Sequence, residues 1–221
     1  MKLKENRITN TQWSYGKREI TINQKIGAGA SVINLLAVIS FAISMLVSSN
    51  FISYLSSLFI AFSFVVMICS FVALNSDATR SAGYCALAFS VMYALCNSIV
   101  YFVQLSTVRN SALTEQASAL LDFQQFGLFF NLDLLGYCFM SISTLFIAFA
   151  IEVVTRVDRW LKYLLMIHGV FAVTCFLMPI LGLFNKAAQG SELTGVLILE
   201  FWCFYFIPIG VLSMLYFVQK K

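Results

Sequence analysis

The chain has 221 residues, of which 60% are hydrophobic and only 11% charged, with a net charge of +4 and a mean hydropathy of +0.87. Soluble globular domains are about 45–50% apolar and about 25% charged, so 14 Lys and Arg plus 10 Asp and Glu cannot dress a water-facing surface. A soluble enzyme, a nucleic-acid binder and a disordered chain are excluded. What remains is an all-α, polytopic integral membrane protein.

Residues 1–25 form a polar, basic tail that includes Lys2, Lys4, Arg7, Lys17, Arg18 and Lys25. It is too long and too polar for the n-region of a cleaved signal peptide, and no convincing cleavage site follows, so the first apolar segment is expected to be retained. Six segments are then long enough to cross a hydrocarbon core of about 30 Å, which needs about 20 helical residues. They fall at 26–47, 51–74, 82–105, 132–154, 161–184 and 193–218, giving a transmembrane domain over 26–218 and a short tail at 219–221. The apolar runs do not alternate as barrel strands do.

The first span opens with Gly27-Ala28-Gly29-Ala30-Ser31, and the second carries Ser49, Ser56, Ser63 and Ser70 at seven-residue spacing. Small residues let membrane helices approach closely, so both patterns predict packing faces. The third span carries Tyr93, Asn97, Tyr101 and Gln104 at i, i+4, i+8, i+11, one polar stripe along a helix. The connection 106–131 is the long one. Leu113, Ala117, Leu120, Leu121 and Phe126 share a helical face within it, which predicts an interfacial helix over the outer mouth. In the fourth span Asp133, Tyr137, Ser141 and Thr144 repeat the stripe of the third. The fifth contains His168, the single histidine, expected to be a neutral packing imidazole bonded to a backbone carbonyl. The sixth carries Glu200 about two turns in from its outer end. Pro179 and Pro208 lie inside spans, where each removes one helix hydrogen bond and predicts a kink.

Lys and Arg are distributed unequally between the two faces. The tails, the second–third loop (Arg80) and the fourth–fifth loop (Arg156, Arg159, Lys162) hold 12, leaving Arg109 and Lys186 on the other face. The positive-inside rule then places both termini in the cytoplasm, in a bacterial plasma membrane. The net charge is this topology signal and does not imply a nucleic-acid partner. All six cysteines fall in predicted spans without a CxxC pair and read as small apolar residues.

An ionisable group inside a bilayer costs about 2.5–3.5 kcal/mol on insertion scales and marks a functional candidate. Lipid would reject both stripes, so they are expected to face the bundle interior. Asn97, Tyr101, Gln104, Asp133, Tyr137, Ser141 and Glu200 are the candidate ligand-binding residues, with Asp133 and Glu200 as the charge. They would line an outer-half cavity that binds or permeates a small polar or cationic solute. The same residues could instead close into a hydrogen-bond network, in a non-catalytic sensor, immunity or assembly subunit that meets a partner membrane subunit or a second copy. A third reading, a lipid-modifying enzyme, lacks its signals. There is no HExxH, no nucleophile elbow, no aspartate pair and no phosphate loop, so neither a catalytic residue nor a metal or other cofactor is expected.

The runs Tyr101-Phe102-Val103-Gln104-Leu105-Ser106-Thr107-Val108-Arg109, Leu132-Asp133-Leu134-Leu135-Gly136-Tyr137 and Ser143-Thr144-Leu145-Phe146, continued by Arg159-Trp160 and His168-Gly169, resemble a family of prokaryotic six-helix multi-pass membrane proteins. The resemblance covers about a third of the chain. It implies a six-helix fold and marks Gln104, Arg109, Asp133 and Tyr137, but no activity comes with it. Asparagine often precedes the glycine in that family, so His168 departs from its pattern.

Overall fold

The computed structural model describes residues 20–183 and 192–220, with backbone alone over 192–195. The tail through residue 19, the connection that holds Lys186, and Lys221 lie outside the described residues. Among the described residues the protein is all-α, and six of its helical segments are long and apolar enough to cross a membrane. A backbone in lipid must satisfy its own hydrogen bonds, which a helix does internally.

The spans are α1 (Ile22–Leu46), α2 (Asn50–Ala73), α3 (Arg80–Val103), α5 (Leu128–Ala150), the pair α6 (Arg156–His168) and α7 (Phe171–Ile180), and α8 (Glu192–Gln219). They close into a ring: α1 packs on α2 and α8, α3 on α2 and α5, α5 on α6 and α7, and α6 on α8. Thr21 caps α1 through a reciprocal box with Gln24. The Gln24 Nε2 also donates to the Lys220 carbonyl at 2.6 Å, tying the start of the first span to the end of the last. Both ends of the bundle therefore share one face, here the terminal face, and the long connection covers the other, the loop face.

The serine repeat of α2 serves two purposes. Ser56 bonds Ser40 of α1 at 2.8 Å, and Ser63 accepts from Asn34 Nδ2 of α1 at 3.0 Å while donating to the Phe59 carbonyl. Ser70 only bonds back to Val66 in its own helix, and the Ser49 side chain makes no cap bond to α2. Ser31 likewise bonds back to Gly27. Asn34 is fully buried and binds the Ile60 carbonyl as well, so the α1–α2 seam is pinned at mid-span by an amide.

Two local features differ from the sequence expectation, and the helix expected in the long connection forms but is short. The third span continues past Val103 as a π-helical turn over Gln104–Val108. The long connection folds as a seven-residue helix α4 (Glu115–Leu121), capped by Thr114, followed by a single 3-10 turn over Phe123–Gln125 that Asp122 caps. That chain doubles back tightly: a Cβ on Gly127 would run into the Ala119 carbonyl oxygen, and Phe126 takes the left-handed conformation at φ 53°. In the fifth span the helix tightens at Gly169 and Val170, through i→i+3 bonds to Met166 and Ile167, rather than at Pro179, which sits in the last turn of α7. Pro208 is accommodated inside an unbroken α8.

The glycines of α1 separate into two kinds. A Cβ on Gly27 would lie 2.6 Å from the buried Phe217 ring of α8, whereas one on Gly29 meets nothing within 4 Å. Gly27→Ala is expected to lower thermal stability in detergent by about 1–3 kcal/mol through overpacking, and Gly29→Ala to stay within about 0.5 kcal/mol of the parent or above it. Equal melting temperatures for the two variants would contradict this packing.

Candidate functional site

Asp133 lies five residues into α5, about 8 Å along the helix axis from its first turn. Its side chain is 4% exposed. Asn97 of α3, fully buried, donates its amide Nδ2 to Asp133 Oδ1 at 2.9 Å. The other end of that amide, Asn97 Oδ1, has no hydrogen-bond partner. It is pressed against the backbone of Gly136, where even a Cβ would overlap it. Glycine at 136 is therefore what lets α3 and α5 come close enough for an amide to reach the acid.

Three tyrosines surround the pair. The Tyr101 hydroxyl faces Asp133, Tyr137 and Ser57, so α2 joins the cluster. Tyr93 and Tyr137 pack tilted with centroids 5.9 Å apart, and a circuit of rings runs on through Trp202 (5.3 Å), Phe206 (5.0 Å) and Phe64 (6.4 Å) back to Tyr93 (5.5 Å). It closes across α2, α3, α5 and α8 and fills the bundle centre below Asp133. Aromatic pairs at such spacings add about 0.5–1.5 kcal/mol each beyond burial.

His168 belongs to a second polar group, nearer the terminal face. Trp202 Nε1, which can only donate, points at His168 Nε2 at 3.1 Å. Nε2 must accept, so the ring proton is on Nδ1, which donates to Thr144 Oγ1 at 2.8 Å. Thr144 passes its own proton to the Ser141 carbonyl, also at 2.8 Å. The imidazole is neutral and satisfied on both sides, by an indole and a hydroxyl rather than by the backbone carbonyl expected. It joins α5, α6 and α8.

The expected site residues thus separate. Asn97, Tyr101, Asp133 and Tyr137 come together. Ser141 donates to the Tyr137 carbonyl of its own helix at 2.9 Å and is not among the residues that line the loop-face recess. Gln104 leaves the stripe: its Nε2 donates to the Leu121 carbonyl at 2.7 Å and its Oε1 accepts from the Phe123 N–H at 3.1 Å, so both amide ends strap the connection onto α3. Glu200 keeps one carboxylate oxygen buried without a hydrogen-bond partner and lies beside Cys203. Among the described residues no hydrogen bond links it to Asp133.

Above Asp133, on the loop face, a recess of about 310 Å³ opens. Its walls come from the start of α2 (Asn50, Phe51, Tyr54), from the π turn (Gln104, Leu105, Val108) with Arg109 beyond it, and from Asp122 and Gln124 of the connection. The Arg109 guanidinium lies 4.5 Å over the Phe51 ring. A trio of rings, Tyr54, Tyr101 and Phe123, with centroids 5.7–6.1 Å apart, separates the recess from the acid. Sequence reasoning missed Asn50, Tyr54, Asp122 and Gln124, which lie in connections or at a helix start where polarity is ordinary. It also missed Gly136, although its place three residues after Asp133 on the same helical face was a usable signal.

Comparison of the chain with protein-family models, with curated proteins and with solved structures finds no match in any of the three.

Two predictions follow from the packing of the pair and of the imidazole. Gly136→Ala and Asn97→Ala should each destabilise by about 1–3 kcal/mol, the first by overlap and the second by stripping the donor from a buried acid. The double variant should be milder than their sum by about 1 kcal/mol or more, because the methyl then occupies the space the amide left. Additive losses in a thermal-unfolding cycle would show that the two do not touch. Thr144→Val should lower stability by about 1–2 kcal/mol by leaving His168 Nδ1 unpaired, while Thr144→Ser should restore most of it.

Proposed function

We propose that this protein is a membrane-embedded binding or permeation protein for a small polar solute, which enters through the loop-face recess and is sensed by the Asp133 cluster beneath it. The observation that carries the reading is continuity from recess to acid. An open recess that carries Arg109, Asp122 and Gln124 shares Tyr54 with a trio of packed rings, and another of the three, Tyr101, turns its hydroxyl to the buried acid. A chain that merely needed to fold would have no use for a carboxyl group in hydrocarbon, because a well-packed apolar residue in its place would be at least as stable. Asp133 and Asn97 supply the polar floor, Tyr101 and Tyr137 the hydroxyls, and Gln104 fixes the connection that forms one wall. Movement of one ring would join recess and floor.

The Lys and Arg distribution supports a plasma-membrane protein with both termini in the cytoplasm, which puts the recess on the outside. A second reading is favoured by a separate observation: Asp133 is 4% exposed and already bonded to Asn97. In that reading the cluster only locks α3 to α5, in a sensor or assembly subunit that acts through a partner membrane protein or a second copy.

Binding and flux separate the two. In proteoliposomes, a solute that raises the melting temperature of the purified protein should be taken up by the parent, and Asp133→Asn should reduce that uptake at least about tenfold while leaving a folded protein. Unchanged uptake would remove Asp133 from the path, and no uptake by the parent would favour the locking reading. Topology is checked by placing cysteine at Glu115. A membrane-impermeant thiol reagent added to intact cells should label it, and labelling only after lysis would reverse the orientation.

A further inference from the structure

Resting on that reading, we infer that the recess takes a small zwitterion of amino-acid type, with its carboxylate on Arg109 and its ammonium group on Asp122. Two opposite charges line the same recess, yet they make no salt bridge with each other. In a cleft that Phe51, Leu105 and Val108 help to wall, an Arg and an Asp left apart face a field that a ligand bearing both charges would complete at once.

Each charge is held for this task by a different device. The Arg109 guanidinium carbon lies 4.5 Å from the Phe51 ring centroid, and among the described residues the group makes no hydrogen bond or ion pair. A guanidinium edge is the geometry that holds a carboxylate by two parallel bonds. The Asp122 carboxylate spends one oxygen, at 3.0 Å, on the Gln124 N–H of the turn it caps, and among the described residues it has no ion-pair partner. Arg109 follows directly on the π turn over Gln104–Val108, and such insertions re-aim the residues after them at functional sites. The Gln104 strap fixes the opposite wall, because it bonds Leu121 and Phe123 on either side of Asp122. Gln104 thus ties the turn that carries Asp122 to the helix whose π turn leads into Arg109. A recess of about 310 Å³ holds a molecule of amino-acid size. Tyr54, at its base, presents a ring face and a hydroxyl to whatever the side chain of the ligand brings.

The same pairing of anion and ammonium occurs in the headgroup of phosphatidylethanolamine, so the test separates the sources. Purified full-length protein in detergent is screened by thermal shift against L-alanine and the other neutral L-amino acids, against ethylamine, against propionate, and against short-chain phosphatidylethanolamine. Raised melting temperatures with one or more amino acids, and with neither ethylamine nor propionate, are expected. Arg109→Gln and Asp122→Asn should each weaken apparent affinity about 10- to 100-fold, the loss of one charged hydrogen-bond partner. Arg159→Gln, exposed on the terminal face, should leave it unchanged. A response to ethylamine alone or propionate alone would overturn the zwitterion while leaving the solute-binding reading intact. A response to phosphatidylethanolamine alone would overturn the soluble ligand. If no amino acid in the screen raises the melting temperature, the zwitterion inference is overturned, and the broader reading is decided separately by uptake in proteoliposomes. Should Asp122→Asn unfold the turn, Asp122→Ser keeps a capping oxygen without the charge and must show the same loss of affinity.

Discussion

The architecture depends on one constraint: a carboxyl group placed among lipid-spanning helices must find a donor there. Asp133 has a single amide within reach, Asn97 at 2.9 Å, and that amide can reach it only because residue 136 has no side chain. Water cannot stand in for either partner at that depth, so the α3–α5 distance is fixed more strictly than apolar packing alone would fix it. The register of the two stripes follows. Once Asn97 opposes Asp133, Tyr101 and Tyr93 on one helix must meet Tyr137 on the other, and the aromatic circuit through Trp202, Phe206 and Phe64 is filled in around them.

The second polar group acts at a different level of the bundle. His168, Trp202 and Thr144 join α5, α6 and α8 by donors and acceptors that match one for one, with Ser141 absorbing the last proton. Trp202 belongs to both systems, since its ring packs on Tyr137 while its N–H serves the histidine. The two groups are therefore one frame, with α5 as its shared member and the fifth span as its loosest: only 11% of the central stretch of that span is buried, against 56% for α2 and α5.

The all-helical class and the six spans were legible in composition and run length, because lipid permits few other solutions. The partnership of the two stripes was legible too, since i, i+4 spacing of polar residues in hydrocarbon has no other place to turn. The fate of single stripe residues was not. Gln104 continues the spacing of Tyr93, Asn97 and Tyr101 but points to the connection, because the π turn begins at that residue and changes the angle of everything after it. Ser141 holds the spacing of Asp133 and Tyr137 but prefers its own backbone, as a short hydroxyl can in a helix. Glu200 looked equivalent to Asp133 by depth alone, and depth does not say which neighbour a side chain meets. The recess was invisible for a plainer reason: its walls come from a helix start, a π turn and a capping aspartate, none of which is unusual as sequence.

The placement of charge along the bundle normal follows from solvation. Arg109 is exposed and Asp122 half-buried at the recess, and among the described residues neither has an ion-pair partner, whereas Asp133 is buried and bonded to Asn97. The three rings between them mark the level at which the medium changes from water to protein. Tyr54 and Tyr101 suit that level because each offers a hydroxyl on one side and a hydrocarbon face on the other, as aromatic residues do at membrane boundaries. A solute that entered the recess would exchange water for Arg109 and Asp122 first and would meet the acid only if the rings parted. On the proposed reading, selection at the recess and commitment at Asp133 would be separate steps, the first set by the connection and the ends of the helices and the second by the α3–α5 seam.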